Sequence, residues 1–328
     1  MDKKEVLLYL VLPAYNEEEV LEQNIKILLD YYDTLTADKE IDERSRILIV
    51  DDGSKDRTWE LISEGHKSDY RVEGIKLSRN EGMQTALYAG MEKALEQGAE
   101  AVITIDADLQ QDIYAIPRFL QQYREGSDIV IGVRSSRDTD GFMKKTTASM
   151  YYKIMNWMGC EITPNHADYR LLSNRALDSL MQYGERNLFL RGIIPTLGYQ
   201  HSTVEFEVKE RTAGESKFTM KKMVTLAMDG ITSFTIRPIH LVFIMGFVIL
   251  CISGLMMIHI LWDYFHGNTV SGWSSILVSI WLLGGIGIFS IGLVGEYVGR
   301  AYIETKKRPR YFIDEFLTGG KQDADKMD

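Results

Sequence analysis

"AEAVITIDADLQQD", residues 99–112, decides how this chain is read. Its first half, through Ile105, is a short apolar run of the kind that fills a strand buried on both faces. Its second half gathers Asp106, Asp108 and Asp112 where that strand ends. On an extended strand, residues two apart face the same way, about 7 Å from each other, so Asp106 and Asp108 are expected to address one point beyond the sheet. At an effective dielectric of ~20 their repulsion is about 2 kcal/mol, which a divalent cation would reverse. All-oxygen ligands suit Mg2+ or Mn2+, with water and substrate phosphates filling the remaining positions. On this stretch alone the bland alternative, an aspartate that only caps the next helix, stays open.

Working outward, "VLLYLVLP" (6–13), "RILIVDDGS" (46–54), "VEGIKLS" (72–78) and "DIVIGVR" (128–134) are further strand candidates. Helical patterns separate them, among them "EGMQTALYAGMEKALEQG" (81–98) and "IYAIPRFLQQYREG" (113–126). Such alternation predicts βαβ units and an α/β domain with a mostly parallel sheet. The first helix is expected within "NEEEVLEQNIKILLDYY" (16–32), with Asn16 as N-cap and Glu19 closing a capping box. Open parallel sheets bind ligands at the carboxyl ends of their strands. That rule places Asp51 and Asp52 of "VDDGS" on the same rim as Asp106, with Gly53 permitting a tight turn. A carboxylate there can accept hydrogen bonds from a nucleobase or ribose. A plain turn and helix cap would explain Gly53 and Ser54 but does not require two acids.

The 328 residues are 45% hydrophobic and 26% charged, as in an ordered protein, and the formal net charge of −10 argues against a general nucleic-acid binder. Cys160 and Cys251 are the only cysteines, so neither a disulfide framework nor a cysteine metal site is expected. Lysines precede the first apolar run, but Pro13 and an acidic stretch follow without a small-residue cleavage site, so a strand is read there rather than a signal peptide. His166 has no second histidine at metal-ligand spacing and reads as a loop or core residue.

Towards the C-terminus the texture changes. "LVFIMGFVILCISGLMMIHILW" (241–262) would span about 33 Å as a helix, enough for a hydrocarbon core of about 30 Å. "ILVSIWLLGGIGIFSIGLV" (276–294) is also free of charge, and the two are read as a membrane hairpin, with His259 interfacial. Lys217, Lys221, Lys222 and Arg237 precede it, Arg300, Lys306, Lys307, Arg308 and Arg310 follow it, and the connector "DYFHGNTVSG" lacks Lys and Arg. The positive-inside rule then puts both flanks in the cytoplasm. "MKKMVTLAMDGITSFTIRP" (220–238) suits either an interfacial helix or an ordinary helix packed on the soluble domain.

In order and spacing, "VLPAYNEE" (11–18), "VDDGS" (50–54) and "DADLQQD" (106–112) resemble the family 2 glycosyltransferases of GT-A, Rossmann-like fold. Further on, "GVR" (132–134), "ADYRLLS" (167–173), "ERTAGESKF" (210–218) and "GEYVGRAYIETKKRPRY" (295–311) around a hairpin resemble the polyisoprenyl-phosphate glycosyltransferases, the group of bactoprenol-phosphate glucosyltransferases and dolichyl-phosphate mannose synthases. The resemblance runs over nearly the whole chain. It implies a cytoplasmic GT-A domain at 1–215, juxtamembrane amphipathic helices at 216–238, two transmembrane helices within 239–296 (about 241–262 and 274–295) and a cytoplasmic tail at 297–328. It implies an inverting transfer from a nucleotide sugar, UDP-glucose or UDP-GlcNAc, to polyprenyl (undecaprenyl) phosphate at the inner or plasma membrane. Pro13, Tyr15, Glu17, Asp51 and Asp52 would hold base and ribose, Asp106 and Asp108 the metal and diphosphate, and Gln110 the sugar side. Arg134, Arg211, Ser216 and Lys217 would meet the acceptor phosphate, Asp168 would orient a sugar hydroxyl or act as base, and Arg170 would pair with Asp168 or with the acceptor phosphate, a simple structural salt bridge being the competing account. A homo-oligomer, a downstream flippase and a second glycosyltransferase are partners that such a product invites. Departures are Glu81, where relatives often carry an aromatic residue, and His166 before "ADYR". Rival readings are a GDP-mannose-using synthase, a processive polysaccharide synthase, whose Gln-x-x-Arg-Trp motif is missing here, and a catalytically silent membrane scaffold.

Overall fold

The computed structural model describes residues 4–135, 166–185, 190–207 and 272–319, with scattered positions between 239 and 266. The five strands expected from apolar runs form: β1 Leu8–Ala14, β2 Arg46–Asp51, β3 Val72–Leu77, β4 Ala101–Thr104 and β5 Ile129–Arg134. Between them lie α1 Leu21–Ala37, α2 Thr58–Ser68, α3 Met83–Glu96 and α4 Ile116–Arg124, the last entered through a 3-10 turn at Ile113–Ala115. Strands β6 His166–Ser173, β7 His201–Phe206 and β8 Ile313–Leu317, with helices α5 Asn174–Met181 and α6 Leu190–Thr196, complete the α/β domain.

One sheet of eight strands runs in the order β7-β5-β6-β4-β1-β2-β3-β8. β1 is parallel to β2 and β4, β2 to β3, and β5 to β7; β6 opposes β4 and β5, and β8 opposes β3. The mostly parallel α/β architecture expected from the sequence is therefore the one observed. Chain order steps from β1 to β2 on one side and returns to β4 on the other, so the crevice at the carboxyl ends of β1 and β4 is the switch point where such sheets bind ligands.

Period-two alternation sorts each strand's side chains into two layers. Leu8, Leu10 and Leu12 of β1 pack with Leu28 and Tyr32 of α1 and Phe119 of α4, whereas Tyr9 and Val11 face α3. Gly90 lets α3 lie close on the sheet, since a Cβ there would sit 2.4 Å from Val11 Cγ1.

The capping box expected at Asn16 and Glu19 is not formed. α1 starts at Leu21 with Val20 as its N-cap and no side-chain cap. Asn16 instead adopts a left-handed backbone, φ 52, which turns it towards the β2–α2 loop. Its N–H donates to Ser54 Oγ at 2.9 Å, and its Oδ1 accepts from the Lys55 N–H at 2.9 Å.

After β7 the next helix described at length is α7, Trp273–Thr305, about 50 Å long at ~1.5 Å per residue. Among the described residues it is the one helix long and apolar enough to cross a membrane, and its apolar stretch is not buried. It continues past the charge-free segment to Thr305, with Arg300 Nε donating to Glu296 Oε1 at 3.1 Å one turn back. The expected first span, 241–262, is described only at scattered positions, so the hairpin as a whole lies outside the described residues, as do the juxtamembrane helices.

Beyond α7 the chain returns to the sheet. Arg310 stacks 4.3 Å over the Tyr88 ring of α3, donates to the Glu185 carbonyl at 2.9 Å and also to that of Tyr183. The Tyr311 hydroxyl donates to Glu92, the Ser78 N–H reaches the Phe312 carbonyl at 2.9 Å, and Lys76 Nζ meets Glu315 at 2.9 Å. Part of the stretch read from the sequence as a tail thus supplies an edge strand.

Candidate active site

Four loops meet at the carboxyl rim. The loop after β1 is fastened to the loop after β2: besides the Asn16 contacts, the Glu17 N–H donates to Thr58 Oγ1 at 2.9 Å and the Glu18 N–H to Asp56 Oδ2 at 3.2 Å. Pro13, Tyr15 and Glu17 stand partly exposed along this seam. Asp51 is fully buried; its Oδ1 accepts from the Ser54 N–H at 3.0 Å, its Oδ2 is buried without a hydrogen-bond partner, and burial raises its carboxyl above the usual range. Gly53 has φ +66, and a Cβ there would lie 2.6 Å from the Arg79 carbonyl carbon, so only glycine fits where the second and third loops touch.

Asp52 reaches into the third loop. Its carboxylate accepts from the Glu81 N–H at 2.8 Å and the Gly82 N–H at 2.9 Å, while Asn80 Nδ2 donates to its backbone carbonyl at 3.2 Å. Burial pushes this carboxyl up to about 6, against the pull of those two amides. Asp52 therefore shapes the entrance to α3, and each oxygen keeps a further lone-pair direction for a ligand.

The loop after β4 departs from the extended geometry expected of it. The strand ends at Thr104, and residues 106–109 turn back, with the Leu109 N–H donating to the Asp106 carbonyl at 3.1 Å and Leu109 itself left-handed at φ 49. Asp106 and Asp108 are thus brought together by a turn rather than by strand alternation. Gln111, buried and not singled out from the sequence, clasps Asp106 from both sides: its Oε1 accepts the Asp106 N–H at 3.1 Å and its Nε2 donates to Asp106 Oδ2. Burial, then the charges of Asp168 and Asp108, push the Asp106 carboxyl up to about 6. Asp108 Oδ1 accepts from the Gln110 N–H at 3.2 Å, and both residues are partly exposed. Asn24 Nδ2 of α1 ties the loop down through the Ala107 carbonyl at 2.7 Å.

β6 adds Asp168, only 5% exposed and joined to β4 by a bond of 2.7 Å from Thr104 Oγ1 to its carbonyl. Its carboxylate accepts from two arginines. Arg170, 1% exposed, donates from Nη2 to Oδ1; Arg191 of α6 donates from Nε to Oδ1 at 3.2 Å and from Nη2 to Oδ2 at 2.7 Å. Arg191 was not legible in the sequence, where "LRG" carries no local signal and only the fold brings α6 to β6. Arg134 is exposed at the end of β5. Arg211, Ser216 and Lys217 lie outside the described residues, as does the side chain of His166.

A carboxyl raised by burial and by two neighbouring carboxylates is one that a cation would relieve, and hard oxygen donors suit Mg2+ or Mn2+. Among the described residues no group of three or more His, Cys, Asp or Glu could hold a metal ion by itself. Two carboxylates alone, Asp106 and Asp108, fit a divalent cation only if water and substrate oxygens complete its shell.

Residues 9–181 match the family model described as glycosyl transferase family 2. The chain is 46% identical over 314 residues to a Bacillus subtilis (strain 168) protein named uncharacterized glycosyltransferase YkoT, covering 96% of this chain and 93% of that one. It is 39% identical over 306 residues to the bactoprenol glucosyl transferase of Shigella phage SfX, covering 93% of this chain and 97% of that one. Among solved structures it is similar to glucosyl-3-phosphoglycerate synthase from Mycobacterium tuberculosis, with a TM-score of 0.46 and 17% identity over 70% of this chain and 79% of that one.

Proposed function

This chain belongs to glycosyl transferase family 2 and is a glycosyltransferase, and within that family we propose that it moves one sugar from a UDP-sugar, UDP-glucose or UDP-GlcNAc, to a polyprenyl phosphate. The observation that carries this reading is the return of the chain to its own sheet. The polypeptide leaves after β7, builds an apolar helix of membrane length, and rejoins the sheet as β8. An acidic nucleotide-sugar rim tethered in this way works at a bilayer surface, where a lipid phosphate is presented. The name of the phage relative, a bactoprenol glucosyl transferase, supports the same acceptor.

Parity supports a multi-pass topology. β7 and β8 belong to one sheet and so lie on one side of any membrane; the segment between them must then cross an even number of times. If α7 crosses, one more crossing falls before it, in agreement with the apolar segment 241–262. On this reading residues 1–215 and 297–328 are cytoplasmic, 216–238 lie along the membrane, and a flippase and a second transferase handle the product.

The acceptor is already an anion at neutral pH, so transfer needs alignment and charge relief rather than a strong base. Pro13, Tyr15, Glu17 and Asp52 line the nucleoside side with Asp51 buried behind them, and Gln110 is assigned to the sugar side. A divalent cation at Asp106 and Asp108 would supply positive charge beside the departing diphosphate. Arg134, Arg211, Ser216 and Lys217 receive the lipid phosphate, arginine as a planar fork and lysine as a mobile point charge, whereas Arg170, expected among them, is 1% exposed and turned to Asp168 instead. An acceptor phosphate oxygen bonds to the anomeric carbon as the bond to the donor β-phosphate breaks, leaving its electron pair on the departing diphosphate.

The test is to incubate membranes carrying the protein with labelled UDP-glucose, UDP-GlcNAc or GDP-mannose, undecaprenyl phosphate and Mn2+, and to extract the lipids. Label from a UDP-sugar should enter an alkali-stable lipid fraction only when undecaprenyl phosphate is present. Label from GDP-mannose alone, or nucleotide release that ignores the lipid, would overturn the reading.

A further inference from the structure

The reaction as outlined leaves the Asp168 cluster without an assigned task. Its geometry is specific. Asp168 is held between two guanidinium groups: Arg170 lies behind it at 1% exposure, and Arg191 lies in front with about a third of its side chain, 32%, open to solvent. Arg191 grips the carboxylate at two points, Nε at 3.2 Å from Oδ1 and Nη2 at 2.7 Å from Oδ2. Arg170 keeps Nε and Nη1 buried without hydrogen-bond partners. A buried ion pair with unsatisfied donors is a poor source of stability, because apolar replacements of similar volume often do as well. Such an arrangement is expected where a charge must be held in place for chemistry.

We propose that Arg191 binds the diphosphate of the nucleotide sugar, and that Asp168 is the positioning residue that aims it rather than a proton acceptor. This rests on the glycosyl transfer proposed above. Three features carry it. Both Asp168 oxygens accept guanidinium N–H groups and the side chain is 4% exposed, which suits an anchor better than a base that must meet an incoming proton. Arg191 pairs with Asp168, and Thr104 Oγ1 ties Asp168 to the end of β4 at 2.7 Å, so the guanidinium is held beside the strand whose loop is assigned to the diphosphate. A guanidinium already fixed by a two-point contact loses less freedom when it binds phosphate, and it stands ready where negative charge gathers as the sugar leaves. Arg170, enclosed behind, holds Asp168 stationary while Arg191 serves the substrate. Three carboxylates, Asp106, Asp108 and Asp168, would otherwise repel a dianionic leaving group from this part of the rim.

The test uses the full chain in detergent with Mn2+, and reads UDP and GDP binding by calorimetry together with transfer kinetics. Arg191→Met should lower kcat by about 10² and weaken nucleoside diphosphate binding, with KM for the lipid acceptor unchanged. Arg191→Lys should recover part of the loss by keeping the charge without the fork. Asp168→Asn should show a similar loss with an unaltered pH profile, and the double variant should be no worse than the poorer single one. If Asp168→Asn leaves Arg170 uncompensated and does not fold, the Arg191 variants, which keep the Asp168–Arg170 pair, decide alone. Arg191→Met with wild-type kcat and diphosphate affinity refutes the proposal, as does an Asp168→Asn enzyme that folds and loses the acidic limb of its pH profile. A wild-type protein that binds neither diphosphate sinks the glycosyl-transfer reading along with it, whereas wild-type transfer that Arg191→Met leaves intact sinks this inference alone.

Discussion

Replacing Asp52 with Asn should separate stability from function in a pH-dependent way. The carboxylate accepts the Glu81 and Gly82 N–H groups at 2.8 and 2.9 Å, and Asn can replace only one of these acceptors, its amide NH2 facing the other N–H. That lost bond is worth about 1 kcal/mol against a neutral carboxyl. Acting the other way, burial raises Asp52 from 3.8 to about 6, so ionising it costs the folded protein about 3 kcal/mol. The folded state holds this proton more tightly than the unfolded chain, so between about pH 4 and pH 6 it binds more protons and its stability falls as pH rises, levelling off above about 6. Asn has no such slope. Asp52→Asn is therefore expected to be about as stable as wild type at about pH 4.5 and more stable by about 2 kcal/mol at about pH 7.5, roughly 4–8 °C in Tm for a domain of this size, while its nucleotide affinity falls. Thermal melts of both proteins in one detergent at the two pH values are the assay. A Tm difference that is the same at both, or that favours wild type at the higher pH, refutes the claim that Asp52 is ionised at a cost.

Three further outcomes follow from the same geometry. Asp108→Ala should abolish transfer and Mn2+-dependent diphosphate binding while the protein still inserts in membranes; retained activity would remove Asp108 from the cation site. Gly53→Ala should destabilise the fold by about 1–2 kcal/mol from its φ of +66 alone, and by more because its Cβ meets the Arg79 backbone at 2.6 Å, which denaturant unfolding can measure. Arg310→Ala, which removes the Tyr88 stack and the bonds to the Glu185 and Tyr183 carbonyls, should slow transfer to undecaprenyl phosphate in bilayers more than transfer to a short, water-soluble polyprenyl phosphate; equal losses on both would mean that the strap does not set the height of the rim above the membrane.

Local pattern carried the sequence a long way and then stopped at contacts that only the folded chain makes. β1 to β5 were legible because strands buried on both faces need continuous apolar runs, and α1, α3 and α4 because their buried faces recur at helical spacing. "IDEFL" carried no such mark: an edge strand with Asp314 and Glu315 on it owes its place to Lys76 and the open side of β3, more than two hundred residues earlier. "ADYRLLS" was read as a site motif rather than as a strand, and its partners on β4 and β5 are distant in sequence. The acids at 51, 52, 106 and 108 were found because rim positions follow from strand ends. The turn at 106–109 was not, since it depends on Leu109 accepting a left-handed backbone and on Gln111 clasping Asp106. Asn16 was assigned to a helix cap for a similar reason: its real partner, the Lys55 amide, is 39 residues away.

The position of β8 also sets an order of events during synthesis. Strands β1 to β7 can fold as they emerge from the ribosome, but β3 remains an uncovered edge until residue 317 is made, after every residue of α7. The nascent domain therefore waits, partly closed, and on the membrane reading proposed above it does so while α7 is being inserted. A ribosome stalled before codon 313 would release a chain whose exposed β3 recruits other strands, so aggregation of such truncated chains, relieved by supplying the missing segment as a peptide, is the cellular signature of this arrangement.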